Sequence, residues 1–444
     1  MADKKSGRAA SRSPSTGGAG SSRVAGWFWS PDRRGEPVPL ATLGCMALAE
    51  HTAGKQETST ARLAGIDLAR GLAVFGMFAA HVGPDPAEGG LIGGLMQLAH
   101  GRASALFATL AGLSLAIMSG RQRPATGLKG RQAAVKIAIR AVILLAFGTA
   151  LTMTGTSVSV ILAYYGVYFL LALPFTRLRA MPLAVIAAVT AIVGPLLSFL
   201  VRGSLARTGW DQLIASNDPI EILSGEGVLQ LLLTGAYPAA TWMPFVFAGM
   251  ALGRIDLQAA ATRARLAVMG PVLALIGYGG SWIALHLFGG VDALTSGNSA
   301  KFGDMSGIAK GVLEKGAAAK GAVSTDSPAW LLVSSPHSGT PFEIIGALGV
   351  GITVLAAALV LAEKLPRLCR PVTAVGSMSL TAYVGHVIAI GLLGLDAQPG
   401  EPLPVLLGFI AGAIVFALVW SRFLRRGPLE FLLNKATTPA RWLK

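Results

Sequence analysis

Charge is scarce in this sequence. Asp, Glu, Lys and Arg make up only 13% of its 444 residues, half of the roughly 25% usual in a soluble domain, which argues against a water-facing globule. Cysteine is scarcer still. Cys45 and Cys369 give neither a disulfide framework nor a thiolate metal site. A zinc site built from histidines would need a ligand spacing such as HExxH, and none is present, so no metal is expected. No P-loop, dinucleotide-binding glycine fingerprint or GxSxG elbow stands in a convincing context, and nothing suggests a redox cofactor. No internal repeat with a period of about 20–50 residues is evident.

What is present is apolar sequence and glycine. Hydrophobic residues make up 53% of the chain, and its 56 glycines are scattered without period, as close helix packing in lipid requires. The net charge of +15 would suit a nucleic-acid partner, but the basic residues fall in short loops between apolar runs, so nucleic acid is not expected. Residues 1–60 are rich in Ser, Gly, Ala and basic residues without lasting periodicity, and read as a disordered cytoplasmic tail. Within that tail, Pro37 to Ala49 is apolar but too short to span a bilayer.

Ten apolar segments follow, near 66–82, 100–118, 135–151, 157–175, 180–201, 236–253, 265–288, 341–362, 371–394 and 402–420. Most have the roughly 17–25 residues of a bilayer-spanning helix. Loop 119–134 holds Arg121, Arg123, Lys129 and Arg131, and loop 176–179 holds Arg177 and Arg179. Arg254, Arg263 and Arg265 follow the sixth segment, Lys364, Arg367 and Arg370 the eighth, and the tail is basic. The alternate connections 82–99, 152–156 and 395–401 contain no Lys or Arg. Such alternation is the positive-inside pattern. The expected fold is therefore an all-α polytopic bundle of about ten transmembrane helices in the plasma membrane, with both termini cytoplasmic. Residues 61–435 would form the membrane domain, 289–340 an extracytoplasmic loop and 436–444 a short cytoplasmic tail. The stretch 293–325 reads as mobile, with no core of its own, and there is room for a partial eleventh span near 225–234.

Ionisable residues inside apolar spans are costly and face a cavity or a partner. On the first span, positions 67, 70, 74, 77, 78 and 81 share one helical face. Asp67 and Arg70 sit one above the other near the cytoplasmic end, and His81 lies about 21 Å further along, in the outer half. Asp67 and Arg70 read equally as a paired helix anchor, and His81 as a packing or capping residue. The second span opens His100-Gly101-Arg102. Arg102 either snorkels to headgroups or holds an anionic group in the cavity. His337, in Ser335-Pro336-His337-Ser338-Gly339-Thr340, and His386 approach the same side, with Glu343 one turn into the eighth span. Histidine serves as a general base near neutral pH, as hydroxyl or amine acylation requires.

The pattern Arg62…Asp67-x-x-Arg70-Gly71…His81 resembles the opening span of the transmembrane acyltransferase superfamily, which includes acyltransferase-3 O-acetylases and heparan-α-glucosaminide N-acetyltransferases. Later stretches look closer to domain-of-unknown-function family 418. These are Leu162 to Gly166, Thr234 to Pro238 with Trp242 through Arg254, Ser335 to Thr340, Gly376 to Tyr383, and Gly427 to Glu430. The resemblance covers about residues 62–435 and implies acyl-CoA, in particular acetyl-CoA, as cytoplasmic donor and a cell-envelope acceptor outside. On that basis His81 is expected as catalytic base or acyl acceptor, His100 as the alternative, and Arg102 as oxyanion partner. Asp67, Arg70, Arg121, Arg123 and Arg131 are expected at the donor's phosphates, and Tyr237, Trp242, His337, Glu343 and His386 on the acceptor side. The chain departs from the heparan and 418-like branches, which often carry Asn where it has His81. A transporter or flippase, with the polar stripe lining a substrate path, is the alternative of a different class. A membrane scaffold is a third reading, but it leaves the alignment of Asp67, Arg70 and His81 without a purpose. The acyl group, the acceptor and the oligomeric state are not legible in the sequence.

Overall fold

The computed structural model describes residues 64–295, 321–424 and 426–443. The 1–60 tail, Arg62, Cys45, His51 and most of the stretch 293–325 lie outside the described residues. The described residues fall in one compact unit, which is all-helical and without strands among them.

In chain order the helices are α1 Ala64–Val82, α2 Gly90–Ala99, α3 Arg102–Met118, α4 Gly127–Thr152, α5 Ile161–Ala172 and α6 Ala180–Thr208. Next come the short α7 Trp210–Asn217 and α8 Pro219–Ser224, then α9 Ala239–Arg254, α10 Ala260–Ala274, α11 Gly280–His286 and α12 Gly290–Thr295. The chain closes with α13 Pro341–Lys364, α14 Pro366–Ser377, α15 Ser379–Leu393, α16 Leu403–Trp420 and α17 Pro428–Ala436.

Among the described residues, seven helices are long and apolar enough to cross a membrane, or eight if the bent pair α14–α15 is one span. The outer helices require lipid. The apolar stretch of α16 has a mean hydropathy of 2.5 yet is only 11% buried, an exposed apolar area that no water-soluble monomer of this size presents. All ten apolar segments are helical, but those at 157–175 and 236–253 form the shorter α5 and α9. Helix α9 is the centre of the bundle. All its residues except Ala240 and Gly253 are buried, packed between α3 and α6. Glycine permits this closeness: a Cβ at Gly249 would lie 1.8 Å from the Thr109 carbonyl oxygen, and one at Gly112 2.0 Å from that of Val246.

Four boundaries differ from the sequence reading. Connection 82–99 is not all loop, because residues 90–99 form α2, whose Leu91, Leu95 and Leu98 are exposed. Helix α4 starts at Gly127 rather than 135; its first turns carry Lys129, Arg131 and Lys136, good helix formers that an apolar filter discards. Segment 371–394 is not one straight span: α14 and α15 meet at a 73° bend. There the Glu430 carboxylate accepts hydrogen bonds from the backbone N–H of Leu380 (2.7 Å) and Thr381 (3.2 Å) and from the Thr381 hydroxyl, capping the broken end. The 293–325 loop also has a core at its described edges. Leu294 and Val323 pack with Leu285 and Val333. Near 225–234 only a five-residue π-helical turn, Gln230–Thr234, is present.

Candidate active site

His81 stands one residue before the end of α1, and α15 brings His386 to meet it. Nδ1 of His81 lies 3.0 Å from Nε2 of His386, with the rings parallel at 5° and 5.3 Å between centroids. Phe78 and Tyr383 flank His386 at 4.9 and 5.1 Å, so its walls are aromatic. A hydrogen bond between two imidazoles needs one N–H and one lone pair, so at least one of the two rings is neutral.

His100 and His337 form a second, edge-to-face pair, 6.0 Å apart at 88°. The turn at Gly101 makes this contact. Its φ of +73° suits glycine, and a Cβ there would meet that of Pro336 at 2.7 Å. His337 itself has φ +59°, a state costing a non-glycine residue on the order of 1 kcal/mol. It is held by the Gly321 N–H donating to its carbonyl at 2.8 Å. Its ring stacks on Trp242 at 5.9 Å and meets Tyr237 edge-on at 5.4 Å. Burial, then the neighbouring His100 and His81, push its imidazole down to about 3, so it is neutral at physiological pH. The pairs form one cluster, because His81 is within electrostatic range of His100, His337 and His386.

Beside the cluster, Arg102 Nε donates to the Tyr278 hydroxyl at 2.9 Å and Nη1 to the Gln97 carbonyl at 2.5 Å. Its guanidinium also stacks 4.7 Å from the Tyr278 ring centroid. Buried Glu343 feels the charge of Arg102 but makes no ion pair with it among the described residues. Thr340 caps α13, accepting the Glu343 N–H at 3.2 Å, which fixes where Glu343 enters the bundle.

The other expected residues lie away from this cluster. Arg70 donates to Asp67 at 2.8 Å and to the Ser114 hydroxyl at 2.7 Å, tying α1 to α3. Arg121 and Arg123 are on the turn after α3, and exposed Arg131 is near the start of α4. Sequence reasoning assigned no role to Arg254, Tyr278 or Glu430. Buried Arg254 donates to the carbonyls of Leu178, Ala116, Arg121 and Thr176, binding together the ends of α3, α5 and α9. The motif ending at Gly253-Arg254 and the Gly427–Glu430 motif were the signals available. No group of three or more His, Cys, Asp or Glu able to hold a metal ion occurs among the described residues.

The chain is thus a multi-pass helical membrane protein with an imidazole-rich site at one end of its bundle. The family described as heparan-alpha-glucosaminide N-acetyltransferase, catalytic, matches residues 62–280, and protein of unknown function (DUF418) matches residues 316–440. Together these matches span most of the chain and support a DUF418/heparan-α-glucosaminide N-acetyltransferase-like family. No curated protein matches it. The catalytic-domain match suggests a membrane acetyltransferase.

Proposed function

We propose that the protein is a membrane-embedded acyltransferase that moves an acetyl group from cytoplasmic acetyl-CoA to a hydroxyl or amine of an acceptor in the cell envelope. The observation that carries this is the His81–His386 pair, at 3.0 Å, beside His100, His337 and the cationic Arg102. Such an arrangement suits acyl transfer. With its Nδ1–H donated to His386 Nε2, His81 keeps Nε2 as a lone pair, which has no partner among the described residues. That nitrogen takes the acceptor's proton as the acceptor oxygen or nitrogen attacks the thioester carbonyl. Arg102 offsets charge on the carbonyl oxygen. As the C–S bond breaks, the CoA thiolate leaves and takes up the proton that His81 held.

The reading includes a topology of about ten crossings with both termini cytoplasmic, in the plasma membrane, supported by the helicity of every apolar segment and by the loop charges. Reporter fusions after Arg131 and Arg370 are expected to report cytoplasm, and fusions within 300–325 the outside. A cytoplasmic signal from 300–325 would overturn it.

A transporter or flippase is the second reading. One observation favours it: α14–α15 is a broken helix, and discontinuous helices line substrate paths in transporters. Purified protein incubated with labelled acetyl-CoA and a panel of envelope acceptors separates the two. Label on an acceptor, lost in His81→Ala and His386→Ala, supports transfer. Wild-type protein that moves acceptor across a vesicle membrane without acetylating it supports transport.

A further inference from the structure

Among the described residues, cations gather in a cleft between α4 and the C-terminal segment. The cleft has a volume of about 180 Å³ and is lined by Lys129, Lys136 and Arg441 with the amides of Gln132 and Asn434 and the hydroxyl of Thr438. Among the described residues, no side-chain carboxylate lines it. Residues 129, 132, 136 and 140 fall on one stripe of α4 by helical spacing. Gln132 holds the opposite wall, donating to the carbonyls of Leu443 at 3.1 Å and Arg441 at 3.4 Å.

The charges reinforce one another. Every charged neighbour that Lys136 feels is a cation: Arg140, Arg441 and Arg426. Arg140 feels Arg426 and Arg70, and its Nε is buried without a hydrogen-bond partner. Like charges gathered without a carboxylate raise the energy of the empty cleft. An anion with several acceptor oxygens relieves that repulsion and accepts from the lining cations. We propose that this cleft is a phosphate site and that it takes the nucleotide end of the acyl donor.

Its position supports that occupant over a bare phosphate ion. Arg140, further along the same stripe of α4, feels the charge of Arg70, and from Arg70 the same face of α1 runs 11 residues, about 16 Å, to His81. A donor anchored here by its phosphates extends its pantetheine arm along α1 toward the imidazoles. The inference rests on the acyl-CoA reading above, yet the anion site stands or falls separately. An anionic lipid headgroup carries the same phosphate chemistry.

The test uses full-length protein in nanodiscs of neutral lipid, titrated with adenosine 3′,5′-bisphosphate, CoA and pantetheine. The bisphosphate and CoA are expected to bind, and pantetheine much more weakly. Lys136→Ala and Arg441→Ala should each weaken the bisphosphate about tenfold, the size of one charge-assisted contact, and added salt should weaken it further. Arg441, exposed at the chain end, keeps the test valid if Lys136→Ala does not fold. Acetyl transfer by the wild type, with bisphosphate affinity unchanged in both variants, overturns the donor site and leaves the acyltransferase reading intact. Absence of CoA binding and transfer, with cleft-dependent retention of phosphatidylglycerol in native mass spectra, overturns the donor and keeps an anion site for lipid. Indifference of both nucleotide and lipid to the two variants overturns the site altogether.

Discussion

If His386 works only by orienting His81, the two residues should behave as one unit in kinetics. Removing a general base lowers a rate by about 10²–10⁴-fold, or about 2.7–5.4 kcal/mol at 1.36 per factor of ten. His386 contributes one neutral hydrogen bond at 3.0 Å. Its loss forfeits about 1 kcal/mol and leaves Nδ1 of His81 in an aromatic enclosure without a partner, a further cost of about 1–3 kcal/mol. His386→Ala should therefore slow acetyl transfer about 10- to 10³-fold. His386→Gln, which restores an acceptor oxygen, should recover part of that loss. The double variant should be no slower than His81→Ala, because a positioning residue has nothing left to position. Transfer rates of the wild type and all four variants and their acetyl-CoA affinities, measured in one detergent preparation, decide the matter. Multiplicative losses in the double variant would refute the reasoning and give His386 a role of its own. If His81→Ala stays active while His100→Ala does not, the base has been misassigned to α1.

Other perturbations test the frame around the pair. A Cβ at Gly376 would lie 1.7 Å from the Asp67 carbonyl oxygen, so Gly376→Ala should push α14 off α1 at a cost of about 1–3 kcal/mol and slow transfer without touching a histidine; an unchanged rate and melting temperature would count against the close contact. Glu430→Ala removes the cap of α15 and should destabilise by about 1–2 kcal/mol, with Glu430→Gln milder, as read by thermal melts in detergent. Arg70→Ala leaves Asp67 without its partner; if Arg70 is an anchor only, the Asp67→Asn, Arg70→Ala pair should regain stability while acetyl-CoA affinity stays at the wild-type value throughout. His337 is held near 3, below the ordinary 6.5, so the unfolded chain binds its proton first. Its contribution is whole above about pH 6.5 and falls by up to about 1.4 kcal/mol per unit as pH drops toward 3. Melts between pH 7 and 5 should show the wild type losing more than His337→Gln, and parallel curves would contradict this.

The apolar segments and the shared face of Asp67, Arg70 and His81 were legible because they depend on local spacing, and the alternation of spans placed four histidines on one side. What was not legible depends on distant partners. Hydropathy measures transfer of side chains and is blind to where backbone hydrogen bonds are interrupted, so the bend after Ser377 was hidden. Its cap, Glu430, lies about fifty residues on and is a surface carboxylate to any local reading. Arg254 appears in the sequence as one loop charge among many, yet its acceptors include four backbone carbonyls and the Ser119 hydroxyl, which carry no pattern. The basic cleft joins α4 to residues three hundred positions later, and only the fold sums their charge.

Arg70 illustrates how a residue read correctly as special need not do what its type invites. Its guanidinium is satisfied by Asp67 on its own helix and by Ser114 across on α3, and a phosphate that displaced either would expose a half-buried polar group. The pair is better suited to holding α1 in register than to exchanging partners each turnover. The next residue, Gly71, abuts α14, since a Cβ there would lie 2.3 Å from the Val372 carbonyl oxygen, and Gly376 closes the same crossing. Helix α1 is thus clamped by hydrogen bonds on one side and by bare backbone on the other, near the end opposite His81. A rod fixed in this way transmits little slack over the three turns to its far end. Helix α15 leaves the same crossing at the capped bend, so His81 and His386 are aimed at each other from one shared fulcrum. The cost of breaking a helix inside an apolar layer, met here by Glu430, is what brings the second imidazole within hydrogen-bonding distance of the first.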